Sequence, residues 1–536
     1  MTRYSLWEEP WIPGVRKSGE PFVASIRAVL AEAHTFREVY DPSPLVTVAI
    51  HRLLLAVLYR VCHPRTATDW AGLWRNGQFD AGRLDGYGAV WGDRFDLLDP
   101  TRPFYQVGRI EDEKVHPIGA LVLEAAAGNN PTLFDHGTVE GMESLPLDRA
   151  ACHLVAHQLF AVGGGVSKPF NRMDGPLTKG LVVEARGNSL FETLLLNLMP
   201  LDYWSSLVPE SGEDAPFWEL TELSEPARDG TTPLGPIHYL TWQSRQIYLC
   251  TDDTAGRITG CQIRQRYCLP KGGERVDPGK AYRKSEKEGW LPFKVDKQRA
   301  AWQFTHVLLQ KTDADMAGPY LTTWLAAVEE LGQQAELAVP RVIGLNVSGL
   351  TTDPKKAAKI ELWRREQLPI PAEFLERPSL VGDLADLMAQ ARRVESLLQR
   401  TSQALVWALG ERKKLPVALT YVWTGKVTEG KIPDGLVTLA KSLGMVTRYW
   451  PALESSFRLA LEELPHRDYT EAQDHWRAAI RRAASQSFMA ERDSLLHAEA
   501  PFEVLSRIEH AFQSRLAGIF AEKMKEVLPD HEDPDE

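Results

Sequence analysis

Four long segments after residue 379 constrain the fold most strongly, because their apolar residues recur at helical spacing. The first, residues 380–409, has apolar side chains three, four or seven positions apart: Leu380, Leu384, Leu387, Ala391, Val394, Leu398 and Leu405. The others are residues 436–464, with a kink expected at Pro451, residues 470–496, and residues 505–527. Helices with one apolar stripe bury it against each other, so an antiparallel four-helix bundle is predicted.

The sequence before residue 370 is more varied, with short strand-like and helix-like stretches separated by irregular loops. A hairpin is expected around residues 17–20, a largely buried helix over 44–62, and helices again over 301–335. Residues 238–250 alternate as in a strand, with one face formed by Tyr239, Thr241, Gln243 and Arg245. Prolines at 369, 371 and 378 mark a boundary. The sequence therefore predicts an α+β protein, with a large mixed N-terminal domain (1–370) that carries irregular loops and a C-terminal four-helix bundle (371–536).

Charge is distributed unevenly along the chain. The net charge is −11 over 536 residues, which argues against a protein coated in nucleic acid. Residues 257–299 nevertheless contain 12 Lys or Arg and only 5 Asp or Glu, whereas the last residues are acidic. We expect a cytoplasmic protein without a membrane span or cofactor, whose five scattered cysteines are reduced.

A glycine-rich segment is the strongest candidate for a binding site. Residues 161–180 (AVGGGVSKPFNRMDGPLTKG), here called the glycine loop, follow a helix expected over 147–162. Gly163, Gly164 and Gly165 lack Cβ atoms, and Lys168 lies next to them. Such a backbone can approach another surface closely and adopt positive φ. A flexible turn is the alternative interpretation.

Catalysis has little support in the sequence. The chain contains no HExxH, GxSxG or Walker-type motif. His153 and His157 lie one helical turn apart, but no acidic residue at ligand spacing accompanies them, so a structural role is favoured and no metal site is expected. Asp135 and His136 are adjacent in a loop, which alone does not indicate an acid–base pair.

Several short motifs in order resemble one known family over essentially the whole chain. They are PWIPGV at 10–15, PLVTVAIHRLLLAVLYR at 44–60, RPFYQV at 102–107, LFDH at 133–136, GGGVSKP at 163–169, PFWE at 216–219 and LTWQSR at 240–245. Together with the predicted bundle, they resemble the large subunit, CasA, of the type I-E CRISPR surveillance complex Cascade.

The resemblance implies a non-catalytic subunit that recognises the PAM on double-stranded target DNA and helps to open the duplex. Guide pairing then reads the target, while protein reads the short flanking motif. In this family a glycine-rich loop, a lysine and a wedge read the PAM mainly from the minor groove. The matching positions here are Gly163, Gly164 and Gly165 with Lys168; Lys280 with Arg283 as the alternate; and the loop 349–359, including Lys355, Lys356 and Ala357.

The wedge region departs from the family pattern, because no glutamine is evident there. We expect the loop to lie between a strand over 341–347 and a helix beginning near Pro354. A lysine-tipped wedge of different shape is therefore implied, and the PAM preference does not transfer.

A second loop resembles the segment that docks this subunit near the crRNA 5′ handle. Its contacting residues would be Phe134, Asp135 and His136, within residues 129–141. The implied partners are crRNA, the other Cascade subunits and the helicase–nuclease effector. Three simpler interpretations of these residues stay open: the lysines are solvated surface charges, Phe134 anchors its own loop in the core, and the basic region binds protein. A scaffold subunit without DNA contact is the main alternative function, and a nuclease is disfavoured.

Overall fold

The structure is a computed structural model in which two compact units are distinguished, Met1–Pro378 and Ser379–Glu536. The described residues are 3–125, 141–210, 212–221, 224–252, 256–271, 274–294, 298–353, 360–428 and 430–521.

The strands all lie in the first unit as far as the chain is described. They are β1 Ile12–Arg16, β2 Pro21–Ala24, β3 Phe36–Val39, β4 His116–Pro117, β5 Leu145–Pro146, β6 Val182–Arg186, β7 Arg245–Asp252, β8 Arg257–Gln265, β9 Tyr282–Ser285, β10 Gly289–Pro292, β11 Met316–Ala317, β12 Val342–Thr352 and β13 Ile360–Pro371.

The helices before residue 378 are mostly short. They are α1 Ile26–Ala31, α2 Pro44–Cys62, α3 Ala67–Asn76, α4 Ala81–Trp91, α5 Leu147–Phe160, α6 Leu190–Asn197, α7 Leu201–Trp204, α8 Pro236–Leu240, α9 Thr305–Leu309, α10 Tyr320–Gln334 and α11 Glu373–Glu376. Single 3₁₀ turns occur at Gly92–Phe95, Ile118–Leu121 and Ala301–Phe304.

From residue 378 onward, the described chain consists of helices joined by short loops. The helices are α12 Pro378–Gly410, α13 Leu415–Thr424, α14 Asp434–Ser442, α15 Met445–Glu463, α16 Tyr469–His497 and α17 Phe502–Ala521, with a 3₁₀ turn at Arg412–Lys414. The indole of Trp476 in α16 donates to the Leu387 carbonyl at 2.7 Å, and the Tyr449 hydroxyl in α15 donates to the Ala391 carbonyl at 3.1 Å. These two bonds tie α15 and α16 to α12.

The sheets are small and antiparallel. Their strand orders are β2-β1-β3, β10-β9-β11, β13-β12-β6, and β4-β8-β5 with β7 also paired to β8. The β12–β13 hairpin has the longest register, from Val342 opposite Pro371 to Thr352 opposite Ile360. On its other edge β12 pairs with β6, which directly follows the glycine loop.

Helix α2 forms the centre of the first unit. Every residue from Pro44 to Tyr59 is buried, and the helix begins at a Ser43 cap that accepts from the Val46 N–H. By length and composition α2 could cross a membrane, yet 83% of its most apolar 18-residue window is buried inside the protein. It has the character of a core helix, as predicted for residues 44–62.

Several predicted elements are confirmed, and the strand predicted over residues 238–250 is correct only in part. The hairpin near residues 17–20 is β1–β2, and the first, third and fourth C-terminal helices correspond to α12, α16 and α17. The second is divided into α14 and α15 around Gly444, with Pro451 inside α15. Helix α13 was not predicted. The α+β class is confirmed by these elements.

The strand predicted over residues 238–250 is correct only from Arg245. The earlier part is helix α8, which begins with Pro236 at a position where proline suits a helix. The Asp214 carboxylate caps α8 by accepting from the backbone N–H groups of Ile237 (3.0 Å) and His238 (2.8 Å). Because Asp214 lies more than twenty residues before α8, the sequence around α8 does not reveal this cap.

The helix predicted to begin near Pro354 does not extend over residues 360–371. Residues 354–359 lie outside the described part of the chain, and the segment that follows is strand β13. Its sequence, IELWRREQLPIP, mixes helix-forming charged residues with apolar ones. Eleven paired positions along β12 decide the conformation instead, so a tertiary contact overrides local preference.

Candidate nucleic-acid interface

The first part of the glycine loop is a narrow turn closed by its own backbone. The Gly164 N–H donates to the Arg172 carbonyl at 2.8 Å, and the Arg172 N–H donates to the Gly165 carbonyl at 3.2 Å. Gly164 has φ 109° and Gly165 has φ 86°, a region that other residues rarely adopt. Two of the three glycines are therefore required by backbone conformation.

Gly163 is required for a different reason, which is close packing. Its N–H donates to the Asp174 Oδ1 at 2.7 Å. A Cβ at this position would lie 2.9 Å from the backbone nitrogen of Asp174. The two sides of the loop approach each other too closely here for any side chain.

The tip of the loop is exposed. Val166 is 89% exposed, the highest value among the exposed large hydrophobic residues of the described chain. The Lys168 side chain is 68% exposed, and its Nζ lies 3.5 Å from the Asp112 carboxylate. The tip therefore presents backbone, a small apolar group and one cation to the solvent.

Arg245, the first residue of β7, holds the base of this turn from inside the protein. Its Nη2 donates to the carbonyls of Val162 (3.2 Å) and Met173 (2.8 Å), which lie on the two sides of the turn. Its Nη1 donates to the Ser244 carbonyl and to the Gln265 Oε1, both at 3.0 Å. Burial lowers the pKa of Arg245 to about 9.

Lys280 supports the second part of the glycine loop. It is only 2% exposed, and its Nζ donates to the carbonyls of Pro176 (2.8 Å) and Lys179 (2.6 Å). Burial lowers the pKa of Lys280 to about 8, although Asp277 opposes this change. The ammonium predicted to contact DNA is therefore directed inward, onto the loop.

A buried polar cluster lies beneath Lys280. The Asp277 carboxylate accepts from Arg52 Nη2 at 3.0 Å and from the Tyr239 hydroxyl at 2.9 Å. It also accepts from the Gly279 N–H at 2.8 Å, and the nearby Arg52 and Lys280 help to hold the pKa of Asp277 below its usual value against the effect of burial. This cluster fixes the turn that carries Lys280.

Arg283, the alternate to Lys280, is exposed on β9. Its neighbour Lys284 lies on the same short strand, with its Nζ 5.8 Å from the centre of the Trp290 ring. The Arg275 guanidinium lies 5.2 Å from the same ring. Two cations, Lys284 on β9 and Arg275 before that strand, thus lie near one aromatic side chain of β10, in the region where the sequence has its basic excess.

The β12–β13 hairpin approaches the end of the glycine loop. A Cβ on Gly349 would lie 3.0 Å from the Gly180 carbonyl oxygen, so the two backbones are in close contact. Gly180 also packs against Pro292 of β10. Residues 174–182 therefore connect the glycine loop, the Lys280 turn and this hairpin. The predicted wedge residues Lys355, Lys356 and Ala357 lie outside the described residues.

The predicted docking residues Phe134, Asp135 and His136 also lie outside the described part of the chain. Just before that segment, Glu124 accepts from the Ser43 hydroxyl and lies 3.9 Å from the Nδ1 of His153. Burial raises the pKa of Glu124. The segment that leads to the predicted docking residues is thus held against the start of α2 and against α5.

The two histidines of α5 are buried inside the protein. Burial lowers the pKa of His153 to about 4 and that of His157 to about 3. His157 Nδ1 lies 3.0 Å from the Leu121 carbonyl oxygen. Among the residues with described positions, no group of three or more His, Cys, Asp or Glu is placed to hold a metal ion.

The supporting roles of Arg245 and Gln265 were not predicted from the sequence. Arg245 was placed only on a strand face, and Gln265 was not distinguished from its basic surroundings. Gln265 Oε1 accepts from the Met173 N–H at 2.8 Å, and its own N–H donates to the Ser167 hydroxyl at 3.1 Å. The only local signal is a pair of polar residues within strands that are otherwise buried.

Comparison with known proteins gives consistent matches over nearly the whole chain. The sequence profile of the family described as CRISPR-associated protein Cse1 matches residues 5–487. A CRISPR-associated protein CasA/Cse1 from Thermus thermophilus is 31% identical over 539 aligned positions, covering 98% of this chain and 99% of that protein.

Solved structures share the fold. The structure of Thermus thermophilus CasA (Cse1) matches with a TM-score of 0.76 and 26% identity, covering 97% of this chain and all (100%) of that one. A chain in a structure described as a CRISPR RNA-guided surveillance complex matches with a TM-score of 0.72 and 17% identity, covering 96% and 100%.

Proposed function

Because the chain belongs to the CRISPR-associated Cse1 (CasA) family, we propose that it is a non-catalytic, DNA-binding subunit of a type I-E crRNA-guided surveillance complex. It reads the PAM on double-stranded DNA, helps to start the R-loop and contributes to recruitment of the helicase–nuclease. The observation that carries this proposal is the glycine loop, an exposed, side-chain-poor turn held by buried cations.

The geometry of the loop suits the minor groove. That groove is only about 6 Å wide, so a turn without Cβ atoms enters it more easily than one with side chains. The backbone of Gly164 and Gly165 is already held in its turn by bonds to Arg172. A loop ordered before binding loses less conformational entropy when DNA arrives.

Cations at the edge of the loop would hold the phosphate backbone. Lys168 and Arg283 are exposed, and Lys168 would exchange its pairing with Asp112 for a phosphate. Lys280 is assigned here to support of the loop from beneath, since both carbonyls that it binds belong to the loop. Lys355, Lys356 and Ala357 are retained as the proposed wedge.

The remaining assignments concern the assembly. A chain of an RNA-guided surveillance complex has the same fold, which supports crRNA and the other Cascade subunits as partners. Phe134, Asp135 and His136 are proposed to dock near the crRNA handle. We assign α12, α15, α16 and α17 as the proposed four-helix bundle, which would form part of the surface that locks the R-loop, in a protein of the cytoplasm.

The first test compares the guide-loaded complex with and without this subunit, on target duplexes with an intact or a scrambled PAM. Because each wrong base pair in a recognised site typically costs about 1–3 kcal/mol, we expect the subunit to tighten binding at least about tenfold, and only on the intact PAM. Equal tightening on both duplexes would favour a scaffold. Metal-dependent cleavage by the isolated chain would indicate a nuclease.

A matched pair of variants then tests the loop itself. Gly165→Asp places a carboxylate near the phosphates, and we expect PAM-dependent affinity to fall about tenfold or more. Gly19→Asp is the control, because Gly19 has φ 92° and open space around it, as Gly165 has φ 86° and open space. Both variants carry the same backbone strain of roughly 1–2 kcal/mol. Equal DNA binding by the two would remove the glycine loop from the interface.

A further inference from the structure

Arg245 has an unusual set of hydrogen-bond partners for a buried cation. It is 2% exposed, and its four acceptors are neutral oxygens: three backbone carbonyls and one side-chain amide. We infer that Arg245 is a positioning residue for DNA recognition, which sets the conformation of the glycine loop by joining its two sides. The inference rests on the proposed function of that loop.

The guanidinium is suited to this task by its shape. One nitrogen, Nη2, bonds to the carbonyls of Val162 and Met173, which are eleven positions apart in the sequence. The other nitrogen, Nη1, is anchored to Ser244 and Gln265. A planar group with several fixed donors can satisfy all four acceptors together, whereas a lysine ammonium has a single nitrogen.

The backbone of Arg245 is itself fixed by α5. Gln158 Oε1 accepts from the Arg245 N–H at 2.9 Å, and Gln158 Nε2 donates to the Arg245 carbonyl at 3.0 Å. Gln158 is completely buried, at 0% exposed. Helix α5, which is buried, therefore fixes the position of the guanidinium, and the guanidinium in turn holds the exposed loop.

A purely structural role does not require this charge. Burial of an ion is expensive, and well-packed apolar side chains often stabilise a core as well or better. The lowered pKa of Arg245 records that penalty. The arrangement gains in return a fixed distance between the two sides of the loop and a positive charge directly beneath the proposed phosphate-facing surface.

The inference is tested with Arg245→Lys and Arg245→Met in the full chain. Arg266→Lys is the matched control, since Arg266 is also buried (7% exposed) but packs on the Tyr267 ring at 4.8 Å. Deuterium uptake is measured by mass spectrometry for a peptide containing Gly164 and Arg172 and for one from β12. PAM and scrambled-PAM affinities are measured in the assembled complex.

We expect both Arg245 variants to increase the rate of exchange in the loop peptide by about tenfold. The hydrogen bonds from a charged donor stabilise the closed loop enough to slow exchange by that factor or more. Exchange in β12 should be unchanged, and the ratio of PAM to scrambled-PAM affinity should fall about tenfold in parallel. The effect of Arg245→Lys should be smaller than that of Arg245→Met. The control should match the wild type in every measurement.

Three results would overturn the inference: unchanged exchange in the loop, faster exchange throughout the protein, or a loosened loop with an unchanged affinity ratio. If Arg245→Met fails to fold, Arg245→Lys decides. Wild-type complex that shows no PAM dependence would contradict the proposed function, and with it the DNA-recognition role of Arg245. Exchange in the loop peptide would still show whether Arg245 holds the loop.

Discussion

At the scale of single residues, the ion pair between Lys168 and Asp112 should limit the contribution of Lys168 to the proposed DNA contact. Both side chains are largely exposed, and their charged atoms are 3.5 Å apart. Release of Lys168 by Asp112→Asn should tighten DNA binding by about two- to fivefold at low salt, since exposed pairs contribute at most about 1 kcal/mol. The gain should disappear as salt rises.

The matched control for this prediction is Asp85→Asn. Asp85 forms a similar exposed pair with Arg27, at 2.6 Å, on helix α4. Titration of both variants with duplex DNA at two salt concentrations is the measurement. Equal effects of the two substitutions would show that overall charge, rather than Lys168, is responsible.

The burial of Lys280 shows where residue-level prediction reaches its limit. In the sequence, Lys280 lies in a run of charges and glycine that is typical of solvated surface. Its acceptors, Pro176 and Lys179, are about a hundred positions away and become neighbours only after folding. By contrast, the glycines at 163–165 predicted both a close approach and positive φ, and the structure has both: Gly163 packs against Asp174, and Gly164 and Gly165 have positive φ.

At the scale of elements, helix α5 should make the protein sensitive to mild acid. His157 has a pKa of about 3 in the folded protein, against 6.5 for the free side chain. The unfolded chain therefore binds more protons below pH 6.5, so stability is lost as pH falls. Between pH 7 and 5 this residue should lower the free energy of unfolding by at most about 2 kcal/mol.

Denaturant unfolding of His157→Gln at pH 7 and pH 5 tests this prediction. The variant should lose less stability than the wild type between the two conditions, whatever its stability at pH 7. His63→Asn is the control, because His63 is exposed and asparagine accepts its φ of 48°. An unchanged pH dependence in His157→Gln would contradict the buried, neutral state of this side chain.

Periodicity predicted helices well wherever one helical face is buried along its whole length. Helices α12 and α16 match their expected limits within two residues. Strand β13 and helix α8 were not predicted, because their partners, β12 and Asp214, come from other parts of the chain. Elements defined by distant partners need the tertiary structure.

At the scale of the whole molecule, each compact unit has its own buried core. In the second, Trp476 is 1% exposed and Phe488 stacks on Phe512 with ring centres 4.9 Å apart. We expect residues 379–536, expressed alone, to be helical by circular dichroism and to melt cooperatively. Trp476→Ala should abolish that cooperative transition, since such a substitution costs about 3–5 kcal/mol. A fragment that melts gradually would contradict this view.

The β12–β13 hairpin has a further consequence for engineering. Strand register repeats every two residues, so inserting a single residue within either strand would turn the following side chains to the opposite face. The pairing is complete at Thr352 and Ile360, before the segment that joins them. Changes of length or composition between those two residues leave every paired position as it is. Exchange of residues 353–359 among relatives should therefore leave the paired strands unchanged, and it would test whether this segment sets the proposed flanking-sequence preference.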